Sequence, residues 1–213
     1  VSEKRLRSPE KCYKRSPPAE ILASLASYAP ENILTMMHYH TKNLDSLAEQ
    51  VKQLFSLGDM YENGFCRAVQ LNVVWPELNR VQEIMGEFPD MKIVLWLPSS
   101  DSVESIANRA KEYDSLVTYA LIDPSGGLGK EFDIGRSTEL MAALNEAMPT
   151  TRIGVAGGFS GDNVGSVVGE IQKRYDNKFF IDSEGRLRST NDLVLDFAKV
   201  RMYIEEAGKI LLK

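Results

Sequence analysis

Hydrophobic and polar positions follow one another along this chain in blocks rather than singly. An apolar run of four to eight residues leads into a polar turn, a helical pattern follows, and another apolar run begins. The runs predict strands at Ile33–Tyr39, Ala68–Val74, Lys92–Leu97, Leu116–Ile122, Arg152–Val155 and Lys178–Ile181. The helical patterns predict helices at Leu44–Leu57, Glu77–Phe88, Ser102–Glu112, Ser137–Ala147, Asn163–Arg174 and Asp192–Leu212. A further short helix is expected from Glu20, ending near Pro30. Trp75 and Pro76 close the second strand, and a proline there suits the start of the next helix.

The predicted strands are near-continuous apolar runs, which is the pattern of strands buried on both faces of a parallel sheet. Strands spaced by helical stretches of this length form βαβ units. Two α/β architectures fit: an open doubly wound sheet, or a (β/α)8 TIM barrel whose first strands are missing or atypical. Residues 1–213 are expected to form a single domain. Residues 1–18 carry six basic against two acidic side chains, with two Ser-Pro pairs and a Pro-Pro, and read as a basic loop or arm.

Composition narrows the function classes. The net charge of -5 gives no support to nucleic-acid binding. No apolar run approaches the roughly 20 residues needed to span a bilayer, so no membrane association is expected. Cys12 and Cys66 make no disulfide framework, and a cytoplasmic setting is the default. The chain opens at Val1 without a methionine, which leaves room for an upstream piece.

Three turns carry candidate chemistry. After the fourth predicted strand come Asp123 and then Gly126, Gly127 and Gly129, with Lys130 beside them. Ligands of parallel α/β folds bind at the carboxyl ends of strands, and these glycines would let backbone N–H groups converge on an oxyanion. A flexible turn is the plainer reading. The stretch is not a phosphate loop, because Glu131 stands where Ser or Thr is required. After the fifth strand come Gly157 and Gly158, with Ser160 or Asp162 placed to cap the next helix, a natural phosphate seat. After the sixth come Ser183 and Gly185, with Arg186 and Arg188 adding positive charge. A barrel seats phosphate between its last two loops.

His38 and His40 share one face of the first predicted strand. No third ligand at matching spacing is evident, so no metal is expected. Gln70 and Asn72 share one face of the second strand and suit the same polar layer.

Taken in order, these segments resemble the phosphoribosylanthranilate isomerase family, (β/α)8 barrels of tryptophan biosynthesis. The resemblance runs from about Ile33 to Leu211. L-I-D-P-S-G-G-L-G-K-E-F-D is similar to the family's L-L-D followed by G-G-T-G-K-T-F-D-W. A-G-G-F-S-G-D-N-V is similar to A-G-G-L-x-x-x-N-V, I-D-S-E-G to D-x-S-S-G-V-E, and V-Q-L-N to V-Q-L-H. The resemblance implies an isomerase that performs an Amadori rearrangement of a phosphoribosyl aromatic amine. It implies Asp123 as general acid. It also implies amides around Gly127, Gly129, Gly157, Gly158, Ser183 and Gly185 as the phosphate seat, and Gly126, Gln70 and Asn72 join the candidate ligand-binding residues from their own placement. The expected partner is a small phosphorylated substrate, with no cofactor.

The chain departs from the family at several positions. The first-strand motif K-I-C-G, whose Cys is the family's general base, does not occur. Ser16-Pro17-Pro18 stands in place of Ser-Pro-Arg, Asn72 in place of His, Leu128 in place of Thr and Ile134 in place of Trp. Different chemistry on the same phosphate-binding barrel, or a phosphate-ligand binding protein without catalysis, are the alternatives.

Overall fold

The computed structural model describes residues 1–7, 17–98, 100–124, 133–176, 178–189 and 194–212. Six strands are present among them: β1 (Met37–Tyr39), β2 (Ala68–Leu71), β3 (Lys92–Leu97), β4 (Tyr119–Ile122), β5 (Arg152–Ala156) and β6 (Phe180–Asp182). They are hydrogen-bonded in chain order, β1-β2-β3-β4-β5-β6. The pairings β1–β2, β2–β3 and β5–β6 are parallel. A parallel sheet in chain order, alternating with helices, is the grammar of a (β/α)8 barrel in incomplete form. The chain divides into two compact units, residues 1–96 with 115–119, and residues 97–114 with 120–213.

The first unit holds α1 (Glu3–Arg7), α2 (Leu22–Ser27), α3 (Leu47–Ser56) and α4 (Leu78–Glu87) with β1, β2 and most of β3. Every residue of β2 is buried, as are Ile93, Val94 and Leu95 of β3, which is why those runs lack alternation. Helix α3 buries Leu47, Val51, Leu54 and Phe55, one stripe at helical spacing. From the opposite side of the interface, the fully buried Tyr39 donates its hydroxyl to Gln50 Oε1 at 2.6 Å. Within the basic stretch, Ser2 makes a parallel bridge to His40 and Glu3–Arg7 is helical. Residues 8–16, Cys12 included, lie outside the described residues.

The predicted strand at Ile33–Tyr39 shortens to β1. Ile33, Leu34 and Met36 are exposed, so apolar character alone did not place them in the sheet. The second strand likewise ends at Leu71, and Val74 is exposed. Trp75 takes a positive φ of 49° as the chain turns toward α4.

The second unit holds α5 (Val103–Ala110), α6 (Ile134–Ala147), α7 (Val164–Tyr175) and α8 (Phe197–Leu211) with β5, β6 and most of β4. Ser102 caps α5 by accepting from Ser105 N, and Asp133 caps α6 by accepting from Arg136 N. Asp196 caps α8 by accepting from Ala198 N and Lys199 N. That helix was expected from Asp192, but it starts at Phe197, after a bend at Val194. Ser189 N donates to Val194 O, and Leu195 bridges Arg188.

The β5–β6 register is Gly154↔Phe180, Val155↔Ile181 and Ala156↔Asp182. Parallel partners share a face, so Gly154, Ala156, Phe180 and Asp182 lie together, opposite the fully buried Ile153 and Val155. Gly154 is required there, since a Cβ would come within 2.3 Å of the Phe180 ring.

Candidate functional site

The carboxyl ends of β4, β5 and β6 carry the three turns singled out in the sequence. Asp123 follows β4 directly and is half-buried. Gly126, Gly127 and Gly129 lie in 125–132, outside the described residues. Gly157 and Gly158 follow β5 with φ of 107° and 67°, conformations that side chains disfavour, so glycine is needed at both. Ser183 and Gly185 follow β6, the latter opening a 3-10 turn over Gly185–Leu187.

Side chains lock these turns. Asn163, at the start of α7, accepts from Ser160 N at 2.8 Å through Oδ1 and donates to Gly158 O at 2.9 Å through Nδ2. Neither Ser160 nor Asp162 is the helix cap: Asn163 takes the cap position and spends its amide on the turn. Ser183 Oγ donates to Phe159 O at 2.7 Å, tying the turn after β6 to the turn after β5. Phe159 beneath them is fully buried.

A cavity of about 370 Å³ opens beside these turns. Ser160 and Gly161 form its wall from the β5 turn, Gly185 and Ser189 its wall from the segment after β6, and Met202 of α8 its floor. Arg186, Arg188 and Lys199 bring three cationic side chains to it, and Asp162 one acidic side chain. Gly161 is held close to the floor, because a Cβ there would come within 2.3 Å of Met202. Arg188 is already oriented by Glu184 Oε1, which accepts from its Nε at 3.0 Å and its Nη2 at 2.6 Å. Lys199 Nζ donates to Arg188 O at 2.9 Å, so α8 and the β6 turn hold each other in place. With Glu184 pairing Arg188 and Asp162 in the lining, the recess keeps a small excess of positive charge, which favours an anionic group.

Asp123 and Glu184 lie within electrostatic reach of Asp182. Asp182 ends β6, and burial first, then the charges of Asp123 and Glu184, hold its carboxyl above the usual carboxylate range. The Ser183 backbone N–H opposes that shift. Tyr203 of α8 is near enough to feel Asp182, and burial and that charge push its phenol well above the ordinary value. Asp182 enters the sequence analysis only within the I-D-S-E-G segment, and Tyr203 and Lys199 only as unnamed positions of the last predicted helix. The two α8 residues sit one helical turn apart, 14 and 18 residues beyond Gly185, so no local motif marks them.

The remaining candidates lie in the first unit. Gln70 is buried on β2, in register with His38 and Val94. Asn72 N donates to Tyr39 O at 2.8 Å, and Asn72 O lies 2.8 Å from His40 Nδ1. A carbonyl only accepts, so Nδ1 carries the proton of that ring. His38 and His40 are both exposed. Among the described residues no group of three or more His, Cys, Asp or Glu side chains is placed to hold a metal ion. Cys66 is buried, and burial pushes its thiol up, away from the reactive thiolate. Among the described residues no helix is long and apolar enough to cross a membrane.

No family model matches this chain, and no curated protein sequence matches it. Solved structures do. A phosphoribosyl anthranilate isomerase from Thermococcus kodakaraensis is similar with a TM-score of 0.57 and 18% identity, over 92% of this chain and 84% of that one. A probable mandelate racemase from Alicyclobacillus acidocaldarius is similar with a TM-score of 0.53 and 14% identity, over 89% of this chain and 43% of that one. At such identities the likeness is one of fold. It agrees with the incomplete (β/α)8 architecture read from the strand order.

Proposed function

We propose that the second unit binds a small phosphorylated sugar derivative and isomerises it. The phosphate occupies the cationic recess, and the sugar carbons lie toward Asp123 and Asp182. The observation that carries this reading is the recess itself, where Arg186, Arg188 and Lys199 meet between the β5 and β6 turns. Holding a substrate by a remote phosphate fixes the reacting carbons near the carboxyl groups and lowers the entropic part of the barrier.

The reaction class is an Amadori-type rearrangement of an amino-aldose phosphate, with Asp123 exchanging protons with the substrate. The resemblance of the L-I-D-P-S-G-G-L-G-K, A-G-G-F-S-G-D-N-V and I-D-S-E-G segments supports it, as does the fold likeness to a phosphoribosyl anthranilate isomerase. Gly157, Gly158, Ser183 and Gly185 shape the phosphate seat. Ser160 N is already engaged by Asn163, so the side chains of the recess supply more of the anion binding than that amide.

Calorimetric titration with ribose 5-phosphate and with ribose tests the reading. Saturable binding of the phosphate ester, weakened by salt and absent for ribose, supports it. Equal, weak binding of both sugars would remove the phosphate seat from the account. Binding of the ester without turnover of any phosphoribosyl aromatic amine would leave a binding protein.

A further inference from the structure

Three cationic side chains reach the recess, but water reaches them unequally. Arg186 and Lys199 are exposed, whereas the Arg188 side chain keeps only 10% of its surface in solvent. Its partner Glu184 is the outer member of the pair, 53% exposed. A guanidinium carries five N–H donors. Glu184 Oε1 accepts one from Nε and one from Nη2. The two on Nη1 and the second on Nη2 meet no acceptor among the described residues. Nη1 is not sealed off, since it is absent from the fully buried unpaired atoms, Arg80 Nε and Ser137 Oγ. The open space that Arg188 lines is the recess. A cation nine-tenths out of water with one half-exposed counter-ion is under-compensated, and an oxyanion in the recess supplies both acceptors and charge.

The chain on either side of Arg188 is fixed. Arg188 O accepts from Lys199 Nζ at 2.9 Å, Leu195 bridges Arg188, and Asp196 N donates to Leu187 O at 2.8 Å. Glu184 holds the side edge of the guanidinium, made by Nε and Nη2. The end edge, made by Nη1 and Nη2, stays open, and an edge of that shape matches two oxygens of a phosphate group. A side chain held in place before its ligand arrives loses less entropy on binding.

We infer that Arg188 is the phosphate-selecting residue of the recess, taking two phosphate oxygens on its end edge, and that Glu184 is its positioning residue. The inference rests on the function proposed above and names the side chain that reads the anion there. Glu184 acts on the anion in two opposite ways. Its charge repels the phosphate, and its hydrogen bonds aim the guanidinium. Substitution separates the two, because glutamine keeps the Oε1 acceptor without the charge and alanine keeps neither.

The test joins calorimetry with ribose 5-phosphate to NMR of the Arg188 guanidinium signals during titration with inorganic phosphate. Arg188→Lys keeps the charge and loses the fork, and is expected to weaken ester binding about tenfold or more. Glu184→Ala removes a negative charge beside the anion, yet is expected to weaken binding about threefold or more, because the guanidinium is no longer aimed. Glu184→Gln is expected to bind at least as tightly as the unaltered protein. Binding in Glu184→Ala as tight as in Glu184→Gln, or tighter, overturns the positioning role. Affinity of Arg188→Lys within about twofold of the unaltered protein overturns the selecting role. Glu184 is half-exposed, so its substitutions leave the core intact, and amide spectra check the fold of each variant. Inorganic phosphate is expected to shift the Arg188 guanidinium signals of the unaltered protein, and signals unmoved throughout that titration overturn the inference. Shifts with inorganic phosphate but no binding of ribose 5-phosphate keep Arg188 as an anion ligand and defeat the proposed function instead.

Discussion

Ser183 Oγ donates to the main-chain carbonyl of Phe159 at 2.7 Å, and through this bond the turn after β6 is fixed to the turn after β5. The walls of the cationic recess continue directly from these two residues, through Ser160 and Gly161 on one side and Gly185 on the other. Ser183→Ala is expected to cost about 1 kcal/mol of stability, the usual worth of one such bond. Ribose 5-phosphate affinity should drop with it. Urea denaturation and calorimetry measure the two. Loss of stability with affinity unchanged would uncouple the bond from the recess.

Asp182 also sets a pH dependence with a definite sign. Its carboxyl is held above the unfolded range by burial, then by Asp123 and Glu184. Folding is therefore favoured when the group is protonated, and that contribution fades as pH rises through its folded value. Asp182→Asn should make the protein more stable than the unaltered chain at pH 7, and the gain should vanish as pH falls below the ordinary carboxylate range. Urea midpoints across pH 3–7 check this. A gain that persists at pH 3 would mean that ionisation is not its source.

In the first unit, Tyr39→Phe removes the donor that satisfies Gln50 Oε1 in the core. Gln50 Nε2 stays bonded to Asn43 O and Ser46 Oγ, both at 2.8 Å, so only the oxygen is left unpaired. A cost of about 1–3 kcal/mol is expected, read from chemical denaturation.

The strand at Lys92–Leu97 was legible to the residue, because Ile93, Val94 and Leu95 are all buried and the run is bounded by polar positions. Ile33–Met36 looked equally strand-like, yet these residues do not enter the sheet. Composition cannot distinguish an apolar segment on the surface from one in the core. The Gly157-Gly158 turn was legible because its positive φ values restrict the residue type. Lys199, Met202 and Tyr203 were not, because α8 brings them to the site from a distant stretch with ordinary helical composition. Asn163 was read as the first residue of its helix, whereas its amide is spent on closing the preceding turn.

Arg188 and Lys199 separate charge from shape in the recess. Arg188 is held by Glu184, and Lys199 caps the Arg188 carbonyl. Lys199→Met keeps the aliphatic stem and removes the charge. It should weaken ribose 5-phosphate binding about threefold to tenfold and flatten its salt dependence, and loss of the bond to the Arg188 carbonyl should cost about 1 kcal/mol of stability. Calorimetry at two salt concentrations measures this, and an unchanged salt slope would remove Lys199 from anion binding.

The most direct measurement is amide shift mapping by NMR during titration with inorganic phosphate. Saturable shifts are expected at Ser160, Gly161, Gly185, Arg188 and Ser189, with ribose 5-phosphate adding shifts at Asp123 and Asp182. Shifts scattered over exposed lysines, with none around the recess, would contradict the phosphate seat and the function built on it.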